Sequence, residues 1–147
     1  MKIVSAQLDN LEDLIPLFDA YRVFYEQDSD IERARQFLRE RFTKNDAVIY
    51  IAYLNKTPIG FTQLYPLHSS VSMKGMYLLN DLYIDIDYRG KGVGTLLIEK
   101  AKQLCKEKGL KGLAIQTAYD NPAQQLYKRL GFVKDIDLHF FWTYENV

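Results

Sequence analysis

Between Met73 and Lys108 the chain changes its period once, and the change falls on three glycines in five residues. Met73 to Ile86, MKGMYLLNDLYIDI, reads as one long strand region, with Gly75 as a bulge or an end. Arg89-Gly90-Lys91-Gly92-Val93-Gly94-Thr95 follows. From Val93 to Lys108 the apolar residues at 93, 97, 101 and 104 share one helical face, and Gly109 ends the helix. Lys111 to Ala118 is the next strand. A long strand, a glycine loop, a helix and another strand imply a mixed α/β fold, a sheet covered by helices. The loop itself has two readings. Backbone N–H groups at a helix start are unpaired and partly positive, so glycines there admit a phosphate, with Arg89 and Lys91 adding charge. A tight strand–helix turn without a ligand is the other reading.

The flanking segments extend this pattern. Residues 2–6 form a short strand. Apolar residues at 11, 14, 15, 18, 21 and 25 have helical spacing behind Asp9 or Asn10 as cap, with Pro16 interrupting a backbone bond. Ser29 to Glu32 fits a capping box for a second helix to about Phe42, with Ala34, Phe37, Leu38 and Phe42 inward. Ala47 to Leu54 and Ile59 to Tyr65 form a hairpin around Asn55-Lys56-Thr57-Pro58, and 66–72 is a loop. Asn121-Pro122 starts a helix whose face is Ala123, Leu126, Tyr127 and Leu130, closed by Gly131. Strands near 132–136 and 138–144 finish the chain. The expected order is β-α-α-β-β-β-α-β-α-β-β.

Composition narrows the function. The 147 residues suit one domain, 1–147, with a sizeable core. Nineteen Lys and Arg balance nineteen Asp and Glu, so no basic excess exists for nucleic acid. The single cysteine, Cys105, excludes an intrachain disulfide and reads as a core residue. No His, Asp or Glu cluster has metal-ligand spacing, so no metal is expected; His68 and His139 read as surface residues. MKIVSAQLDN lacks the apolar core of a signal peptide, and no apolar run approaches the roughly 18–20 residues of a membrane span. The expectation is a cytoplasmic protein without a membrane partner.

The glycine spacing excludes two nucleotide motifs. A Walker loop needs Ser or Thr directly after Gly-Lys, and here Gly92 follows Lys91. The dinucleotide fingerprint needs its third glycine one residue later than Gly94, and an acidic residue about 20 positions on, where LKGLAIQ stands. The pattern R-x-x-G-x-G, Arg89 to Gly94, resembles instead the pyrophosphate loop of the GNAT acetyltransferase superfamily. Asn80 to Asp85 resembles its central strand, and Asn121 to Phe132, with Leu126-Tyr127 and Gly131-Phe132, resembles its second signature. The likeness covers essentially the whole chain and is strongest over 79–132. It implies a twisted, mostly antiparallel mixed sheet of about seven strands with about four helices.

The resemblance also implies a mechanism. The donor is acetyl-CoA and the acceptor a primary amine. Backbone groups of Leu82, Tyr83 and Ile84 hold the pantetheine, and a backbone N–H there serves as an oxyanion hole. Arg89, Gly90, Lys91, Gly92, Val93, Gly94 and Thr95 hold the pyrophosphate. Asn121 stands six residues before Tyr127, where the commonest signature has seven and Asp120 occupies that place; Asn121 contacts the cofactor or caps its helix. Tyr127 is the general acid, since a phenol with a pKa of about 10 can protonate a thiolate of about 8.5; the core-residue reading stands beside it. Some polyamine-acetylating relatives carry a glutamate where Asn80 stands, which cannot take a proton; Asp81 or a carboxylate elsewhere acts as base through water, or no residue is dedicated to the job, and Asp81 equally reads as a structural acceptor. The acceptor site falls on Tyr21, Phe24, Tyr25, Glu26 and Asn80, with Tyr65, His68 and Trp142 as possible walls, and aromatic rings beside a carboxylate suit a cationic amine. The last strand, LHFFWTY, is where a homodimer would pair. The competing function is a non-catalytic acyl-CoA-binding regulatory module of the same fold, against which Tyr127 argues.

Overall fold

Four strands run as an antiparallel meander, and a fifth joins parallel to the last of them. The computed structural model describes residues 1–144. By internal contacts the chain divides into two units, Met1–Gln116 and Thr117–Val147. The first holds β1 (Lys2–Ser5), α1 (Leu11–Phe24), α2 (Ile31–Lys44), β2 (Val48–Leu54), β3 (Thr57–Ser69), β4 (Lys74–Ile84), α3 (Val93–Glu107) and β5 (Leu113–Ile115). The sheet order is β1-β2-β3-β4-β5. The mixed α/β class expected from the sequence is the class observed.

Local chemistry explains most of the boundaries. Asn55 takes φ +56° in a two-residue connection that Asn tolerates, so β2 turns directly into β3. Asn45 closes α2 in the left-handed region at φ +51°. The cap of α2 is Asp30, one residue after the expected Ser29: its side chain accepts from Arg33 N–H at 3.1 Å. Ser29 is occupied elsewhere, donating to Asp19 Oδ2 at 2.6 Å. Pro16 sits inside α1 without ending it. β3 continues through 66–69, expected as a loop, because these residues pair with Tyr77 back to Lys74. Gly75 is neither bulge nor end, since it pairs with His68. β5 is shorter than expected.

The two faces of the sheet carry different layers. Ile49, Ile51 and Phe61 pack with Leu14, Ile15 and Phe18 of α1 and with Ala34 and Leu38 of α2. Leu14 and Leu38 are fully buried, each worth about 1.5–3 kcal/mol of burial. α3 turns Val93, Leu97, Ile98, Ala101 and Cys105 inward against the other face. There Lys108 donates to the Tyr77 hydroxyl, and the Cys105 thiol, raised by burial, faces the Gly112 carbonyl as a core residue.

In the second unit, α4 (Gln124–Arg129) is followed by Gly131 at φ +91°, and Phe132 N–H returns to the Tyr127 carbonyl. Ala123, Leu126, Tyr127 and Leu130, the face that the helical spacing predicts, are partly buried, as are Asn121, Gln124 and Phe132. The strands expected at 132–136 and 138–144 are absent from 133–143, so the sheet has five strands among the described residues. Strand propensity reflects packing against a neighbour, and this segment has no ladder partner; Ile136, Phe140 and Trp142 are 93%, 86% and 79% exposed.

Candidate functional site

The site begins with a defect in β4. Gln63 pairs with Asp81 and Leu64 with Leu79, so Asn80 has no residue opposite it. An extra residue of this kind is a β-bulge, which bends the strand and re-aims its side chains. Tyr77 and Leu79 are buried on the α3 side, where Lys108 meets Tyr77. Without the bulge Asp81 would follow them. With it, Asp81 turns to the α1 side, beside Gln63 and Tyr21.

Asp81 is 2% exposed. Gln63 Nε2 donates to its Oδ2, and Asn80 Nδ2 donates to its Oδ1 at 2.6 Å. Burial pushes its carboxyl up, and hydrogen bonds from Gln63, Asn80 and Tyr21 pull it part of the way back. The Tyr21 hydroxyl also donates to the Asn80 carbonyl at 3.3 Å. Burial first, and then the Asp81 charge, raise both Tyr21 and Tyr65, so these phenols remain protonated donors near neutral pH.

A second consequence lies on the β5 side of β4. Parallel pairing with β5 stops at Leu79–Ile115. Past that point no strand pairs this side among the described residues. The Asp85 N–H bond to the Ile59 carbonyl fixes the alternation of the β3–β4 ladder. Tyr83 and Asp81 therefore turn their main-chain groups to β3, while Leu82 and Ile84 turn theirs outward. Arg89 Nε takes the Ile84 carbonyl at 2.8 Å, leaving Leu82 and the Ile84 N–H as an open strand edge.

The glycine loop continues from this edge. Gly90 and Gly92 have φ of +75° and +84°, where a side chain is strained, and Gly92 caps α3. A Cβ at either position would meet nothing within 4 Å, so their surface is open. Val93, Gly94 and Thr95 form the first turn of α3, where N–H groups lack intrahelical partners. The donor set fits a pyrophosphate. The Arg89 guanidinium lies over the Tyr83 and Phe24 rings at 5.3 and 5.6 Å, while Lys91 sits over Tyr88 at 5.7 Å.

A cavity of about 310 Å³ opens above Asp81. Of the expected acceptor residues, Tyr21 and Asn80 line it, as do Asp81 and Tyr65. Phe24, Tyr25 and Glu26 do not. α1 ends at Phe24 and Glu26 takes φ +64°, which carries the chain away; Phe24 instead lies under Arg89. His68 is in β3 and is not a lining residue. Phe18, Arg22, Arg33 and Phe37 line the cavity too, although their sequence pattern gave them no such role. They lie on two helices, so only the packing of α1 on α2 brings them together.

In the second unit α4 starts later than expected, with Ala123 as its N-cap, and Asn121 holds the turn before it: Oδ1 accepts from Ala123 N–H at 2.9 Å and its carbonyl accepts from Gln124 N–H. Tyr127 is partly buried, its ring 6.2 Å from that of Phe132. Among the described residues no group of three His, Cys, Asp or Glu is placed to share a metal ion, and no helix is long and apolar enough to cross a membrane.

The model of the acetyltransferase (GNAT) family matches residues 11–132, a stretch that runs through both units. An uncharacterized N-acetyltransferase, YhfO, of Bacillus subtilis is 43% identical over 136 residues, covering 92% of this chain and 91% of its own. A probable acetyltransferase of Haemophilus influenzae is 36% identical over 103 residues, covering 69% of this chain and 70% of its own. The crystal structure of a probable acetyltransferase superposes with a TM-score of 0.92 at 36% identity, covering 100% of this chain and 99% of that one. The chain belongs to the acetyltransferase (GNAT) family and is an acetyltransferase enzyme.

Proposed function

We propose that the protein moves an acetyl group from acetyl-CoA to a primary amine by direct attack in a ternary complex. One observation carries this reading: β5 pairing stops at Leu79 and the Asn80 bulge that follows turns Asp81 to the cavity, so an open strand edge and a candidate acceptor pocket meet at one point of β4. Leu82 and the Ile84 N–H would hold the pantetheine along that edge, as an added strand is held; Tyr83, expected to share this role, turns its main-chain groups to β3 instead. Gly90 to Thr95 would hold the pyrophosphate, with Arg89 fixing the start of the loop and Lys91 contributing charge. When bound, acetyl-CoA supplies the thioester carbonyl.

The amine nitrogen bonds to the acetyl carbon, the carbon–sulfur bond breaks, one proton leaves the nitrogen and one reaches the sulfur. Asp81, raised by burial, accepts the first proton directly or through water. Tyr127 delivers the second. A main-chain N–H of the outward edge meets the developing oxyanion. Asn121 holds the turn that leads into α4, beside any cofactor contact. We take both units as one domain in a cytoplasmic homodimer that pairs through the exposed aromatic run 138–144.

The test is release of free thiol from acetyl-CoA across a panel of amines. Tyr127→Phe should lower kcat by about 10²-fold or more, in the range of general-acid catalysis, with acetyl-CoA affinity unchanged. Acetyl-CoA binding without turnover on any amine would favour the non-catalytic acyl-CoA-binding module instead.

A further inference from the structure

We propose that the acceptor is a small zwitterion, an amine that also carries a carboxylate, and that Arg22 and Arg33 clamp the carboxylate. The proposal rests on the acetyl-transfer reading above and names its substrate class.

Arg22 and Arg33 differ from Arg35 and Arg41. Arg35 is ion-paired to Glu12 and Glu32, and Arg41 to Glu40 and Asp46. Among the described residues neither Arg22 nor Arg33 has a carboxylate partner, yet both line one cavity. Arg22 is half-buried and is held by its Nη1, which donates to the Asp28 carbonyl at 3.1 Å. Arg33 stands in the first turn of α2. A cation there opposes the positive end of the helix dipole. The acid of the same turn, Glu32, is bound by Arg35. The position of Arg33 thus brings nothing to its own helix. Two guanidinium groups that line one cavity without a protein anion, Arg22 held by Asp28 and Arg33 free to swing, are a site for a carboxylate, which they can grip through paired N–H donors.

Asp81 and Asn80 line the same cavity and bring a carboxyl and a carbonyl group to it. These are acceptors, and an amine supplies donors. Aromatic rings of Phe18, Phe37 and Tyr65 complete the lining and suit a short methylene chain. At about 310 Å³ the cavity lies at the low end of ligand pockets, which run about 300–1,000 Å³, so an acceptor of amino-acid size fits. A polycation would place a second positive charge against two arginines, which is repulsive selection against that class.

Calorimetric binding to the full-length protein tests this without turnover. The probes are ω-amino acids of about three to six carbons, a span set by the pocket size, each compared with its carboxamide and with the diamine of equal length. The best acid should bind at least about tenfold tighter than its amide, as expected for hydrogen bonds between charged groups. Arg33→Gln, a change at an exposed position, should remove most of that preference and leave the amide affinity unchanged; Arg22→Gln should do the same. Equal binding of acid and amide, tighter binding of the diamine, or an Arg33→Gln loss that is the same for acid and amide would each overturn the clamp. Thiol release keeps the two claims apart. A preferred amino acid that is bound but never acetylated counts against the transferase reading alone, and turnover of diamines in preference to acids counts against the clamp alone.

Discussion

Asp81 is a buried carboxyl without an ion-pair partner among the described residues. A charge in that position is costly unless its hydrogen bonds are complete. Its two carboxyl oxygens accept from Gln63 and Asn80, but Gln63 Oε1 is itself buried with no partner. Turning the Gln63 amide would let a protonated Asp81 donate to that oxygen, so the site suits the neutral form as well. The folded pKa is raised above the unfolded value of about 3.9. The contribution of Asp81 to stability is therefore complete below that value and is lost as pH rises through the folded pKa. Asp81→Asn keeps the shape and removes the loss. It should be more stable than the parent at pH 8, and the gain should shrink toward pH 4, read as urea midpoints across that range. A gain that grows toward acid pH would show that the carboxylate form is the one the fold favours. Turnover should fall in the same variant, because its amide accepts no proton.

At the scale of elements, β4 does two jobs through one irregularity, and its other neighbour must fit closely for this to work. Gly60 pairs with Ile84 at the open end of the strand. A Cβ there would lie 2.8 Å from Ile84 Cδ1 and 2.9 Å from the Tyr83 carbonyl oxygen. The carbonyl is main chain and cannot swing away. Gly60→Ala should cost about 1–3 kcal/mol, the range for overpacking, and should weaken acetyl-CoA binding by displacing the Leu82–Ile84 edge. Denaturant midpoints and acetyl-CoA titration check both; an unchanged midpoint would mean that the strands separate without penalty. The glycine loop was legible in the sequence because its chemistry is local: spacing and a following helix suffice to define it. The bulge was not. Asn80 looks like any strand residue, and its lack of a partner emerges only when the register with β3 is laid out. The α2 cap was misplaced by one residue because Ser29 and Asp30 are both good caps, and the long-range bond from Ser29 to Asp19 decided between them.

For the whole molecule, what sequence could not supply was convergence. Arg22 and Arg33 lie on separate helices, and no periodicity within either helix relates them. Tyr21 lines the cavity, whereas Phe24 to Glu26 do not, because the helix ends there. The final segment poses the same problem in sharper form. Ile136, Leu138, Phe140, Trp142 and Tyr144 alternate with other residues, which is the strand pattern. All five are exposed, however, and 133–143 has no regular structure. Apolar exposure of that extent marks an association surface. In the proposed homodimer, a second copy supplies the missing neighbour. Amide hydrogen exchange at two protein concentrations tests this. The amides of β2, β3 and β4, bonded within the sheet, should be slow at both. The amides of 138–144 should be fast in dilute protein and slower in concentrated protein. Fast exchange at every concentration would remove the dimer. Slow exchange in dilute, monomeric protein would mean that the segment pairs within its own chain, and the sheet would then have the strands that the alternation predicts.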